Sequence, residues 1–186
     1  MIMNEPSHLL PAGTYDTHVH VFDSQLGPYD PSRAYTPQEA PLKDLQAFSA
    51  RISSTRQPSN FVLVQPSPYG TDNTVLFTSL RQLRESEGGS YDVRAIAVFD
   101  FATTSDNELA RMHDLGVRGL RLNLQASGGQ VDYALLIHSL NAAADRIKSL
   151  TGWKIQIYCP SEAWDSKHPY HRIVTLYQLR HWLTIC

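Results

Sequence analysis

A chain of 186 residues, 42% hydrophobic, 18% charged and with a formal net charge of −2, is sized for one domain with a real core. That balance excludes a basic nucleic-acid surface and a charge block for a membrane face, and no run reaches the ~20 apolar residues of a membrane span. The opening "MIMNEPSHLLPAG" is broken by Glu5 and Pro6 and does not read as a signal peptide; Cys159 and Cys186 form no CxxC, so the expected compartment is a reducing cytoplasm.

The first predicted element is "GTYDTHVHVFD", Gly13–Asp23. In a strand, alternate residues share a face, so Asp16, His18 and His20 project together, opposite Tyr15, Thr17, Val19 and Val21. Two readings stand for that edge. It is either a polar strand face toward solvent, or a pair of imidazoles aimed at a metal, a carbonyl or a water. "QLGPYDPSRAYTPQEAP" then reads as a long loop, and long structured loops tend to be functional.

Leu42, Leu45, Phe48 and Ile52 recur at helical spacing. "NFVLVQ" (Asn60–Gln65) is a short apolar run suited to a strand buried on both faces, followed by the turn-rich "PSPYGTDN". A second helix carries Val75, Leu76, Leu80 and Leu83 on one side, and "VRAIAVFD" (Val93–Asp100) is a third strand. The next helix opens with a capping box, Ser105 and Glu108, and closes at Gly116. "VRGLRLNL", "DYALLIHSLNAAADRIKSL" and "WKIQIYC" complete a fourth strand, a fourth helix and a fifth strand.

Strands alternating with helices indicate parallel βα units in an α/β fold. The first strand is followed by neither GxGxxG nor GxxxxGK[ST], which sets aside the doubly wound dinucleotide sheet. The polar residues lie at or just beyond strand ends instead: His18, His20, Ser67, Asp100, Arg121, Asn123 and Tyr158. A (β/α)8 TIM barrel puts its chemistry there, and the expectation is an incomplete barrel of about five βα units.

In that order, "YDTHVHVFD", "RAYTPQEAP", "VLVQPSPYGTDN", "RAIAVFD" and "LARMHDLGVRGLRLNL" resemble the amidohydrolase-related hydrolases, and within them the 2-pyrone-4,6-dicarboxylate lactonases. The resemblance covers residues 13–165, leaving 1–12 as an N-terminal extension and 166–186 as a tail unlike the family. It implies hydrolysis of a lactone or cyclic carboxylate ester, a small-molecule carboxylate partner, and no nucleic acid or membrane. His18 and His20 match the family's first-strand HxH as catalytic residues. In metal-dependent relatives that pair holds zinc or another divalent ion; in the lactonase branch it polarises the lactone carbonyl without metal.

The resemblance also assigns Tyr35, Ser67, Arg121 and Tyr158 to substrate binding. An arginine fork suits a carboxylate. Three of them have a plainer alternative: Ser67 as a turn serine, Tyr158 as a core tyrosine, Arg121 as a helix-side or salt-bridging residue. Arg118, on the other face from Asn123, reads as structural, and so do His113 and His138 inside helices. Asp16 either orients a histidine or bonds backbone at the strand's start, and Asp100 is a capping candidate. Lys154, on the fifth strand, is not assigned as a metal-bridging lysine.

Two departures qualify the resemblance. "LQASGGQ" places Ser127 where the dicarboxylate-specific branch carries a second arginine, so a smaller or differently charged substrate is expected. A complete barrel takes about 250 residues, and the family's later catalytic histidines and its eighth-strand aspartate have no counterpart in the five units read here. The chain is therefore expected to be C-terminally truncated, to hydrolyse little or nothing alone, and to self-associate through exposed barrel edges. Turnover abolished by His20→Ala would overturn that expectation. The alternatives are a decarboxylase of the same superfamily or a non-catalytic product, and a zinc cluster of His168, His171 and His181 in the tail is a minor one.

Overall fold

In a computed structural model the chain is described over residues 9–56, 59–86, 91–124, 133–158 and 183–185. Strand and helix alternate from β1 to β5: β1 (Tyr15–Val19), α1 (Leu42–Ile52), β2 (Asn60–Val64), α2 (Thr74–Glu85), β3 (Val93–Ala97), α3 (Asp106–Leu115), β4 (Val117–Asn123), α4 (Tyr133–Ile147) and β5 (Lys154–Tyr158), and a further strand is β6 (Leu183–Ile185). All strand pairs are parallel and the sheet order is β1-β2-β3-β4-β5-β6. Sequential parallel pairing, with helical crossovers from β1 to β5, is the wall of a (β/α)8-type barrel, here as an incomplete run. Five strands are those read from the sequence; β6 comes from the segment read as a tail, and its Leu183, Thr184 and Ile185 pair with Ile155, Gln156 and Ile157.

Alternation along the strands sorts the two faces. Phe61, Leu63, Val93, Ala95, Ala97, Leu120, Leu122, Ile155 and Ile157 join one apolar cluster with Leu80, Leu83, Leu109, Leu140 and Ile147 of the helices. The predicted α2 stripe is correct: Val75, Leu76, Leu80 and Leu83 are all buried. On α1 the stripe is only half right. Leu42 and Ser49 are buried there, while Phe48 is 48% exposed with the Arg51 guanidinium 5.5 Å from its ring centre.

The capping box of α3 forms as read, with the Glu108 amide donating to Ser105 Oγ and the Ser105 amide donating to Glu108 Oε2. Gly116, at φ 111°, closes the helix in the left-handed region. Trp153 is nearly buried and its indole N–H donates to His113 Nδ1 at 3.0 Å, which gives His113 the packing role expected of it. Arg118 donates to the carbonyls of His113 and Val117, also as expected of a structural arginine.

Two strands carry an extra residue. Between Asp16 and Val19, β1 advances three residues against two on β2. β4 does the same against β3 between Val117 and Gly119. Such bulges re-aim side chains and are common beside functional sites. No helix among the described residues is long and apolar enough to cross a membrane.

Candidate functional site

The inner face of the sheet carries the polar residues that the helix side excludes. Arg121 and Gln156 sit opposite each other in the β4–β5 register, and Asn123 and Tyr158 follow one step toward the carboxyl end. Their neighbours in sequence, Leu120, Leu122, Ile155 and Ile157, belong to the helix-side cluster, so the alternation itself turns Arg121 and Gln156 inward. Both are buried, Arg121 at 7% and Gln156 at 1% exposure.

The His pair closes on them from β1. The ring centroids of His18 and His20 are 5.0 Å apart in an edge-on arrangement. His18 Nε2 lies 3.5 Å from Arg121 Nη1, and its Nδ1 lies 3.4 Å from Gln156 Nε2. The Arg121 guanidinium in turn sits 5.4 Å from the Tyr158 ring centre. His20 Nδ1 lies 2.8 Å from the Val64 carbonyl oxygen. A carbonyl only accepts, so Nδ1 carries the proton and His20 turns its Nε2 lone pair away from the strand.

Electrostatics keep both rings neutral near pH 7. Desolvation lowers the His20 pKa to about 4, outweighing the raising bond to Val64, with smaller lowering contributions from Arg121 and His18. Burial, then Arg121, lowers that of His18, against a weaker pull from Asp16. Asp16 itself bonds backbone: its Oδ1 accepts from the His18 amide at 3.4 Å, one of the two roles open to it from the sequence.

The loops above the site are fixed by specific bonds. Gln65 Nε2 donates to the carbonyls of Gly70 and Asp72. Asn73 grips Val98 at both ends, donating to its carbonyl at 2.7 Å and accepting from its amide at 3.1 Å. Aromatic rings continue from His20 through Phe22 and Tyr69 to Tyr29, tying the long loop after β1 to the one after β2. Asp100 caps a turn as foreseen, its Oδ1 accepting from the Ala102 amide.

The structure thus brings together four of the six sequence-predicted site residues: His18, His20, Arg121 and Tyr158. Ser67 lies at the head of a short 3-10 turn after β2, where its carbonyl accepts from the Gly70 amide. Tyr35 is 52% exposed in the long loop. Among the described residues, neither Ser67 nor Tyr35 has a polar or ring contact with the His18–Arg121 group. Lys154, half-buried, pairs with Gly119 at the other end of β5 from Tyr158. Ser127, Cys159 and the His168, His171 and His181 group lie outside the described residues.

Gln156 was missed. Its only sequence signal is a lone amide between two isoleucines in "KIQIY", on the same alternation as Tyr158. As for a metal, the described residues offer two imidazole nitrogens with a guanidinium beside one of them. Among those residues no group of three or more His, Cys, Asp or Glu gathers to hold an ion. A divalent cation takes about four ligands and is opposed by an adjacent fixed positive charge, so the described residues do not by themselves complete a metal site.

Comparison with known proteins bears on the family and the barrel-type fold. The chain is 34% identical over 167 residues to a 2-pyrone-4,6-dicarboxylate hydrolase of Comamonas testosteroni, covering 87% of this chain and 50% of that protein. It is 32% identical over 132 residues to a 4-sulfomuconolactone hydrolase of Rhizobium radiobacter, covering 69% of this chain and 40% of the relative. A crystal structure of a probable 2-pyrone-4,6-dicarboxylic acid hydrolase from Acinetobacter baumannii, with citric acid bound, superposes with a TM-score of 0.65 at 26% identity, over 93% of this chain and 57% of that one. The chain therefore spans about half the length of the curated relatives it matches. Residues 15–179 match the amidohydrolase family profile, and the chain belongs to that family.

Proposed function

We propose that this chain carries the substrate-binding and water-positioning part of a lactone hydrolase whose substrate bears a carboxylate. One observation supports it most: a buried arginine stands against a histidine pair and a tyrosine ring on the inner face of a parallel sheet, toward the strands' carboxyl ends. Arg121 takes the carboxylate with its fork. Desolvation strengthens that pairing, and Tyr158 borders the same space. Ser67 and Tyr35 belong to the loops over the site and complete the pocket on substrate binding.

In the hydrolysis itself, water oxygen adds to the lactone carbonyl carbon, the ring C–O bond breaks, and the proton given up by the water ends on the released ring oxygen, so that the ring-opened hydroxy (or enol) acid leaves. A neutral imidazole with a free Nε2 lone pair accepts a hydrogen bond from that water. His20 is fixed in this form by Val64 and orients the nucleophile more than it takes its proton, because its basicity is low. Self-association belongs to the same reading, at the end strands β1 and β6 of the sheet.

The test is a calorimetric titration of the 186-residue chain with 2-pyrone-4,6-dicarboxylate and with a smaller 2-pyrone monocarboxylate, saturation by either counting as binding. Saturable binding is expected, weakened roughly 10- to 100-fold in Arg121→Met as a charge-assisted pair of ~1.5–3 kcal/mol is lost. Failure of the folded wild-type chain to bind, or unchanged affinity in the variant, would overturn it.

A further inference from the structure

His18 is held at both ring nitrogens, by Arg121 Nη1 at 3.5 Å from Nε2 and by Gln156 Nε2 at 3.4 Å from Nδ1. Guanidinium offers only donors. Toward Arg121, His18 Nε2 is therefore an acceptor, and the single proton of the neutral ring sits on Nδ1. A proton there faces an amide N–H of Gln156 unless the amide is turned over. A half-turn of the amide about its last side-chain bond exchanges two groups of nearly equal shape and brings Oε1 to Nδ1. The opposite assignment sets a ring N–H against the guanidinium, donor against donor. Only one assignment makes both contacts hydrogen bonds.

We propose that Gln156 is a positioning residue, accepting through Oε1 from His18 Nδ1 and so fixing the tautomer whose Nε2 lone pair faces Arg121. Ile155 and Ile157 anchor β5 in the helix-side core on either side of Gln156, and the β4–β5 register sets it level with Arg121, so the amide has a defined place from which to hold the ring. The consequence rests on the hydrolase reading above. In this tautomer the His18 Nε2 lone pair stays aimed at the space where Arg121 meets a carboxylate, beside His20. Both histidines then receive hydrogen bonds from water, and the donors for the developing oxyanion come from elsewhere in the site.

The measurement is a long-range proton–nitrogen correlation spectrum of the full chain labelled with 15N-histidine, near pH 7.5 and without ligand. His18→Asn identifies the His18 signals. The expected result is a single tautomer with Nδ1 protonated; Nε2 protonated in the wild type would overturn the proposal.

Gln156→Leu is expected to abolish that preference, and Gln156→Glu, which can only accept, to restore it. An unchanged tautomer in folded Gln156→Leu would show that another group fixes the ring, which also overturns the proposal. Should either variant fail to fold, the wild-type spectrum still decides. Because no ligand is present, the expected tautomer in a chain that does not bind the lactone would sink the hydrolase reading and leave this one standing.

Discussion

Leu120 and Arg121 are neighbours on β4 and face opposite sides of one sheet. Outward, Leu120 is fully buried and belongs to the same apolar cluster as Leu122, Ile155 and the helix residues Leu109 and Leu140. Inward, Arg121 is almost as buried, but it lies against an imidazole and a tyrosine ring. The outer face spends its burial on transfer of apolar surface from water, which is non-directional and stabilises the fold. The inner face buries charge and amide groups whose desolvation roughly cancels what their contacts return. Stability is thus expected to reside outside the sheet and ligand recognition inside it.

The comparison breaks most readily at Leu120. Leu120→Ala removes a side chain with no exposed surface and leaves a cavity between sheet and helices, for an expected loss of about 2–5 kcal/mol. Urea unfolding followed by circular dichroism measures it. A loss below about 1 kcal/mol would mean that the helix layer is not packed as the structure has it.

Next is Gly119, one residue before Leu120. A Cβ there would stand 2.9 Å from the Lys154 carbonyl oxygen and 3.2 Å from Ile96 Cγ1. The first of these is backbone of the neighbouring strand and cannot swing aside. Gly119→Ala is expected to cost roughly 1–3 kcal/mol by overpacking and to loosen the register that sets Arg121 opposite Gln156. Amide exchange on β4 and β5 would show that loosening, whereas a neutral variant would argue that the two strands sit further apart.

A third test uses pH. His20 titrates at about 4 in the fold against an ordinary 6.5, and His18 is shifted in the same direction. Between those values the unfolded chain binds more protons than the folded one, so stability is highest above about pH 6.5 and falls as pH drops toward 4. In His20→Gln the fall of the melting temperature over that range should be shallower. Equal slopes would mean that His20 charges freely in the folded protein.

These contrasts also explain what could be read from sequence. The outer face was legible because apolar periodicity reports directly on helix-facing burial: Val75, Leu76, Leu80 and Leu83 are where their spacing put them. Phe48 fails the same test because α1 turns Ser49 inward, where its Oγ accepts from the Ser59 amide, and Arg51 covers the ring outside. His18, His20 and Arg121 were legible as polar residues at the carboxyl ends of strands. Gln156 was not, since one glutamine between isoleucines looks like any tolerated polar position until the β4–β5 register sets it level with Arg121 and the fold brings His18 of β1 against it. The β1 bulge was invisible too, because an extra residue in one strand is defined only against its partner.

The smallest expected change in stability is the sharpest test of the division between faces. Arg121→Met keeps most of the side chain's length and apolar stem while removing the charge. If the inner face is built for recognition, the variant should stay within about 1 kcal/mol of wild type, or gain slightly, because the desolvation cost of the guanidinium disappears with its contacts. The same variant is the one expected to lose the carboxylate ligand. Measured together on one preparation, preserved unfolding free energy with lost binding would separate the two faces by function. A loss of several kcal/mol would show instead that Arg121 holds β4 to β1 through His18, and that the inner face is structural.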